Sequence, residues 1–252
     1  MSKAPRLPTA ATGIRLRIGT AGWAIPRATA EAFPSIGAGL ARYAARFNAV
    51  EINSTFYRAH RPSTYARWAA MTPPEFRFSL KLPRRITHEA RLIDCQQLLA
   101  SFRADALHLQ DKLGPLLVQL PPSLDFSAAT HEPFFATLRK IWPEAVVLEP
   151  RHPTWFEATA EAMLHAFQVS RVGADPARPP GADQPGGWGG VAYWRLHGSP
   201  RMYYSSYERA TLMLLADRLA SHEATEIWCV FDNTASGAAA ANALELSTLQ
   251  VL

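Results

Sequence analysis

The amino-acid sequence predicts a single α/β domain in which eight parallel strands close into a (β/α)8 barrel, the TIM-barrel architecture. Three observations predict this fold. Eight short apolar segments recur along the 252 residues, helical patterns separate most of them, and the chain length suits one barrel. The alternative is an open doubly wound sheet, which usually has a glycine-rich phosphate turn after its first strand. Here Gly19 and Gly22 follow that strand, but Trp23 and Pro26 crowd the turn.

The predicted strands are short, apolar or alternating, and bounded by turn residues. They are Leu16–Thr20, Ala49–Asn53, Arg77–Lys81, Leu116–Leu120, Val146–Glu149, Ser170–Ala174, Ala192–Leu196 and Ile227–Phe231. The clearest helical pattern runs from Arg91 to Leu113, where apolar residues recur every three or four positions. Ser205 and Glu208 have capping-box spacing, which predicts a helix start at Ser205.

One stretch between the sixth and seventh strands breaks this alternation. From Asp175 to Gly190 the chain is rich in proline and glycine, which predicts that no helix forms there. We therefore expect the sixth helix to be missing or reduced, and the loop to be either a lid over the site or a passive connector. Residues 1–12 are polar and contain proline, and they predict a flexible arm before a domain at 13–252.

Composition, charge and cysteine content indicate which kinds of partner and which cellular compartment to expect. The net charge is +5, but the basic residues are scattered, which favours a small anionic ligand over nucleic acid. No segment approaches the ~20 apolar residues of a membrane span, and the first residues lack the apolar centre of a signal peptide. Cys95 and Cys229 match no metal or redox spacing, so we expect two buried thiols and a cytoplasmic protein. The oligomeric state is left open.

Polar residues fall at the carboxyl ends of the predicted strands, on the face opposite the helix-facing residues. Burying several charges costs several kcal/mol per ion unless they are paired, so we expect these residues to form a site. The predicted catalytic residues are Glu51, Lys81, Glu149 and His197. The predicted substrate-binding residues are Asn53, Tyr57, His88, Gln119, Arg151, His152, Arg195, Tyr204, Asp232 and Asn233.

These residue types favour acid/base chemistry without a metal. Lys81 and Arg195 can hold a phosphate or carboxylate, the arginine in a bidentate manner. Glu51 and Glu149 can then exchange protons, provided that one is ionised and the pKa of the other is raised. Glu149 can alternatively be a structural partner of an arginine.

Histidine and lysine chemistry offers two further possibilities. His88 or His197 is a candidate second proton carrier. Lys81 is a candidate Schiff-base nucleophile, which requires an apolar surround that lowers its pKa. The sequence predicts that nearby carboxylates raise this pKa instead, so the Schiff base is the weaker alternative.

A divalent metal is the other alternative that the strand ends allow. Glu51, Glu149, His197 and Asp232 carry suitable oxygen and nitrogen ligands. Lys81 and Arg195 would share the site and repel a cation, and no paired metal-ligand spacing occurs. We therefore expect neither a metal nor another cofactor.

Several specific motifs extend over nearly the whole chain, from about residue 18 to residue 246. They include Ile-Gly-Thr-Ala-Gly-Trp at 18–23, Val-Glu-Ile-Asn-Ser-Thr-Phe-Tyr at 50–57, Leu-Glu-Pro-Arg-His-Pro-Thr-Trp at 148–155, Arg-Leu-His-Gly at 195–198 and Phe-Asp-Asn-Thr at 231–234. In these motifs the sequence resembles the DUF72 family, a group of uncharacterised YecE-like proteins. The resemblance implies a TIM barrel but no particular reaction.

Three classes of function remain open at this stage. The sequence favours an enzyme of the hydrolase, lyase or isomerase type that acts on a small anionic or sugar-like substrate. Charge and exposed aromatic residues motivate the second class, a protein that binds or processes nucleic acid. The third class is a barrel that binds a ligand without catalysis, because this fold alone does not determine a chemistry.

Overall fold

The computed structural model describes residues 14–249, so the predicted arm at 1–12 lies outside the described residues. The strands are β1 (Arg15–Thr20), β2 (Ala49–Ile52), β3 (Arg77–Lys81), β4 (Leu113–Gln119), β5 (Val146–Glu149), β6 (Val169–Arg171), β7 (Gly173–Asp175), β8 (Gly186–Gly187), β9 (Ala192–Leu196) and β10 (Glu226–Phe231). The α-helices are α1 (Gly39–Ala44), α2 (Pro62–Ala70), α3 (Gln96–Ala106), α4 (Ala128–Ile141), α5 (Ala158–Ala166), α6 (Arg209–Ala220) and α7 (Ala238–Thr248).

The strands form two sheets, so the fold is a mixed α/β fold with parallel sheets. One sheet has the order β1-β10-β9-β7, and the other has the order β2-β3-β4-β5-β6-β8. All pairs are parallel except β6 and β8, which are antiparallel. The sheets meet at a parallel bridge between Ala21 and Glu51. They meet again near Val172, which lies between β6 and β7. Strand β6 pairs with β5 of one sheet, and β7 pairs with β9 of the other.

The two faces of the sheets enclose two separate apolar cores. The larger core lies between the sheets and the helices. The smaller core takes side chains from both sheets, namely Ala49, Leu117, Val147, Val172, Val191, Tyr193, Trp228 and Val230. Side chains alternate along a strand, so a residue two positions further on faces the same side. Two positions beyond five of these residues stand Glu51, Gln119, Glu149, Arg195 and Asp232.

Two helix starts differ from their sequence predictions. Helix α3 begins at Gln96, because Arg91, Leu92 and Asp94 have positive φ angles of 50°, 68° and 51° that a helix cannot contain. The predicted capping box is also wrong, because α6 begins at Arg209 with no side-chain cap. The Ser205 hydroxyl instead accepts a hydrogen bond from the backbone N–H of Arg201, at 3.0 Å.

The segment 175–190 contains no helix, as its composition predicts. The short strand β8 of this segment pairs with β6. Arg171 of β6 holds the remainder of the segment through hydrogen bonds and an ion pair. The Arg171 guanidinium donates to the carbonyl oxygens of Gly181 at 3.3 Å and Gln184 at 3.0 Å. Glu161 of α5 pairs with Arg171 and accepts from the backbone N–H of Gly187 at 2.6 Å. The segment is therefore anchored beside β6.

Cys95 and Cys229 are free and buried, as the sequence pattern predicts. Burial raises the pKa of the Cys95 thiol to about 11, which leaves it protonated near neutral pH. Between residues 14 and 249, no helix combines the length and apolar character needed to cross a membrane.

Candidate functional site

Arg195 is fully buried at the centre of a charged network at the strand ends. Its Nε and Nη2 donate to the two carboxylate oxygens of Glu51, at 2.9 and 2.8 Å. Its Nη1 donates to Glu149 at 2.5 Å, and Nη2 donates to Asp232 at 3.0 Å. Burial disfavours the charged guanidinium, but the three carboxylates outweigh it and raise the pKa of Arg195. These bonds occupy four of the five guanidinium N–H groups, so Arg195 orders the carboxylates around it.

The Glu149 carboxylate accepts hydrogen bonds from several side chains, more than a single ion pair would provide. Besides Arg195, it accepts from Gln119 Nε2 at 3.1 Å and from Arg151 Nη2 at 2.8 Å. Burial favours the neutral acid, but Arg195, His197 and Arg151 outweigh it and hold the pKa of Glu149 well below its usual range. A carboxylate this strongly ionised is a weak base.

His197 connects two of these carboxylates. Its Nδ1 lies 3.0 Å from Asp232 Oδ2, and its Nε2 lies 3.0 Å from Glu149 Oε1. Burial opposes the imidazolium, but the two carboxylates outweigh burial and raise the pKa of His197. Both ring nitrogens are therefore engaged by the network. We call Glu51, Gln119, Glu149, Arg151, Arg195, His197 and Asp232 the Arg195 network.

Lys81 differs from the Arg195 network because its ammonium has no polar partner among residues 14–249. The side chain is 5% exposed, and Nζ lies 4.3 Å from the centre of the Phe56 ring. Burial and then the charge of Arg195 lower the pKa of Lys81 to about 8. The prediction that nearby carboxylates raise this pKa is therefore wrong, because Glu51 and Glu149 only partly offset burial.

His88 lies near Lys81, in the π-helical turn Arg85–Glu89 that follows β3. Its ring packs edge-on against the Phe56 ring with centres 5.0 Å apart, and its Nδ1 lies 2.8 Å from the Thr87 hydroxyl. Partial burial, followed by the charges of Lys81, Arg84 and Arg151, lowers the pKa of His88. Among the described residues, Nε2 of this neutral imidazole has no hydrogen-bond partner.

A pocket lies beside the Arg195 network. Glu149 and His197 line it on one side, and Pro176, Arg178, Pro179 and Ala182 of the segment 175–190 line the other. Pro150, Arg151, Ala174 and Met202 complete the lining, and the Arg151 Nη1 lies 4.0 Å from the Met202 sulfur. Arg151 and Arg178 give this pocket positive charge that a small anion would neutralise.

Five predicted site residues lie outside the Arg195 network and away from Lys81 and His88. Asn53 is the first residue of the 3-10 turn Asn53–Phe56. It lines another pocket together with Trp23 and His60. Tyr57 is 74% exposed. Tyr204 is 46% exposed, and the Arg201 guanidinium lies over its ring.

The other two of these residues, His152 and Asn233, hydrogen-bond to nearby backbone groups. His152 precedes the 3-10 turn Pro153–Phe156, and its Nδ1 accepts from the backbone N–H of Thr154. Asn233 is fully buried, and its amide donates to the Ser205 carbonyl and to Asn242, both at 2.9 Å. Neither side chain hydrogen-bonds to the Arg195 network.

Sequence reasoning missed several residues that complete the site. The Tyr193 hydroxyl lies 3.0 Å from Glu51 Oε2 and 3.0 Å from the Ser79 hydroxyl. Tyr193 stands two positions before Arg195, so strand alternation could have identified it. Phe56, Met202 and Arg178 come from turns and loops, whose side-chain directions carry no comparable periodic signal.

Within the described part of the chain, no three His, Cys, Asp or Glu side chains are arranged to hold a metal ion. The carboxylates of Glu51, Glu149 and Asp232 point to arginine and histidine donors instead.

Fold and site together define a mixed α/β protein with a buried charged site at the carboxyl ends of parallel strands. The family described as "Protein of unknown function DUF72" matches residues 17–251, and the chain belongs to this family. The chain is 34% identical over 154 residues to the UPF0759 protein YecE of Escherichia coli K12, covering 58% of this chain and 55% of YecE. It thus spans about half the length of the curated relatives it matches.

Solved structures of two DUF72 family proteins share this fold. One, from Thermotoga maritima, has a TM-score of 0.75 and 24% identity, covering 92% of this chain and 97% of that chain. Another, from Enterococcus faecalis, has a TM-score of 0.76 and 21% identity, covering 95% of this chain and 98% of that chain. At these identities the likeness concerns the fold alone.

Proposed function

We propose that the two sheets form one closed (β/α)8 barrel. The bridge between Ala21 and Glu51 joins β1 to β2, and the adjacent strands β6 and β7 act as a single strand between β5 and β9. Counted in this way, eight parallel strands surround the smaller core, whose side chains come from both sheets. Active sites of such barrels lie at the carboxyl ends of the strands.

We further propose that the protein is an enzyme that carries out metal-free acid/base chemistry on a small anionic or sugar-like substrate at these strand ends. The reaction would be of the hydrolase, lyase or isomerase type. The observation that carries the proposal is a contrast in pairing. The charged groups of the Arg195 network bond to one another, whereas Lys81 Nζ and His88 Nε2 have no hydrogen-bond partner among residues 14–249. Strongly shifted pKa values next to a pocket are typical of functional sites.

Each residue has a definite role in this proposal. Arg195 and Glu149 position their neighbours, because their charges are already satisfied within the protein. Lys81 and Arg151 attract the anionic group of the substrate. His88 carries a proton, because its neutral ring has a free nitrogen and a lowered pKa.

We also propose that the enzyme works in the cytoplasm and without a metal or other cofactor. Free, buried Cys95 and Cys229 suit a reducing compartment. The cationic side chains of Lys81 and Arg151 favour an anion over a metal ion at this site.

Thermal unfolding with a panel of sugar phosphates, organic acids, nucleotides, divalent metals and short single-stranded DNA tests this proposal. A small anion at ~100 times its dissociation constant stabilises by ~2.7 kcal/mol, which should raise Tm by about 5–10 °C. Lys81→Met and Arg151→Met should abolish the shift. Lys140→Met, at an exposed lysine on α4, is the matched control and should keep it.

Two results would contradict the proposal. One is a shift only with DNA that disappears as salt rises, because phosphate-backbone binding releases counterions. The other is a small-anion shift that Lys81→Met and Arg151→Met both retain, because the ligand would then bind elsewhere.

A further inference from the structure

The lysines of this chain are few and differ sharply in their surroundings. The sequence has four, and three of them lie within residues 14–249. The Lys112 ammonium donates to the carbonyl oxygens of Ala69 at 2.6 Å and Thr72 at 2.5 Å. Lys140 is exposed to solvent. Lys81 alone among these three is buried without a hydrogen-bond acceptor.

We propose that Lys81 is a covalent nucleophile, which forms an imine with the carbonyl carbon of an aldehyde or ketone substrate that also carries an anionic group. This inference rests on the proposed function and names the substrate class of the same site.

The surroundings of Lys81 are those that activate an amine. Burial and the neighbouring Arg195 guanidinium favour the neutral amine, whereas the Phe56 ring, whose centre lies 4.3 Å from Nζ, stabilises the ammonium by a cation–π contact. Glu51, Glu149 and Asp232 oppose this effect and His88 is neutral, and the pKa still falls to about 8. At pH 7 this gives roughly 300 times more neutral amine than a lysine with the ordinary pKa of 10.5.

Access and orientation also suit a carbonyl substrate. Lys81 is buried but remains 5% exposed, so a small part of its surface reaches solvent. Arg151 lines the neighbouring pocket and can hold the anionic group of the substrate. His88 is close enough to both Lys81 and Arg151 for its pKa to respond to their charges.

The reaction balances without an oxidant or reductant. The Nζ lone pair forms a bond to the carbonyl carbon while the C=O π electrons move to oxygen, and a proton passes from nitrogen to that oxygen. His88, whose Nε2 has no hydrogen-bond partner among the described residues, would relay this proton. The proton that the Lys81 ammonium released on becoming the neutral amine returns to this oxygen, so the C–O bond breaks with release of water, while the nitrogen lone pair forms the C=N bond. The product is a protonated imine at Lys81.

Reductive trapping tests this proposal in the full-length protein. Glyoxylate, an aldehyde with a carboxylate, is added with cyanoborohydride, which reduces an imine to a stable secondary amine. Intact mass and peptide mapping then give the labelling rate of each lysine. We expect Lys81 to be labelled at least ten times faster than Lys140. Lys81→Arg should remove this fast phase, whereas Lys140→Arg should keep it.

Glycolate, which has the same carboxylate but no carbonyl, separates the two proposals. If glycolate raises Tm in the wild type and in Lys81→Arg, and glyoxylate labels Lys81 rapidly, both proposals are supported. If anions of the panel raise Tm but Lys81 is labelled no faster than Lys140, the imine is overturned while the proposed function stands. If neither Tm nor labelling responds to any small anion or carbonyl compound, both proposals fail.

Discussion

At the scale of single residues, Arg195 sets the ionisation of the side chains around it. Buried carboxylates normally resist ionisation, yet the pKa values of Glu149 and Asp232 are lowered because the guanidinium outweighs their desolvation. The same positive charge helps to lower the pKa of Lys81. One arginine thus keeps the acids charged and favours the neutral lysine.

His197 gives this network a measurable pH dependence. Glu149 and Asp232 outweigh burial and raise its folded-state pKa above 6.5, whereas unfolding returns it to about 6.5. Its stabilising charge is therefore fully present below about pH 6.5 and is lost as pH rises through the folded-state pKa. His197→Gln should cost about 3–5 kcal/mol at pH 6 and less at pH 9. Urea unfolding between these pH values measures the difference.

A matched control separates this effect from the loss of any histidine. His165 is exposed on α5, so His165→Gln should change the unfolding free energy by less than about 0.5 kcal/mol at every pH. A cost for His197→Gln that is the same at pH 6 and pH 9 would show that its charge does not stabilise the fold.

At the scale of elements, the contact between β1 and β2 depends on a glycine. A Cβ added to Gly19 would lie 2.1 Å from the Ala49 carbonyl oxygen, which is backbone and also accepts from the Tyr43 hydroxyl. Gly19→Ala should therefore destabilise the protein by about 3 kcal/mol or more. Gly39→Ala is the control, because a Cβ there meets nothing within 4 Å. Equal urea midpoints for the two variants would contradict this close approach.

Strand alternation made much of the fold and the charged cluster predictable. Positions such as Glu51, Glu149 and Arg195 share one face because side chains reverse direction at every residue. The register then brings them together across neighbouring strands, with Gln119 directly opposite Glu149. The charges are informative because a buried ion on a strand requires a partner.

Elements outside the strands were less predictable, because local motifs have competing uses. Ser205 and Glu208 match a capping box, yet Ser205 closes a turn and the helix begins later. Asn53 has the parity of Glu51, but the chain leaves the strand at Asn53 and enters a 3-10 turn. The pKa of Lys81 depends on the depth of burial, which no sequence pattern shows.

At the scale of the whole molecule, the site lies where an apolar core ends. Tyr193 and Val230 belong to the smaller core, and Arg195 and Asp232 follow them on the same strand face. The apolar layer excludes water from below and strengthens every charge interaction above it. Related DUF72 structures share the fold at 20–24% identity, so the architecture itself tolerates extensive sequence change.

The central claim is that Lys81 is an activated amine at an anion-binding site, and lysine NMR tests it most directly. With ¹³C at the ε carbons, the protein gives four lysine signals, and Lys81→Arg identifies that of Lys81. We expect the Lys81 signal to titrate with a midpoint near the pKa of about 8, and to shift when glycolate is added. A midpoint near 10.5 with no response to glycolate would contradict the account.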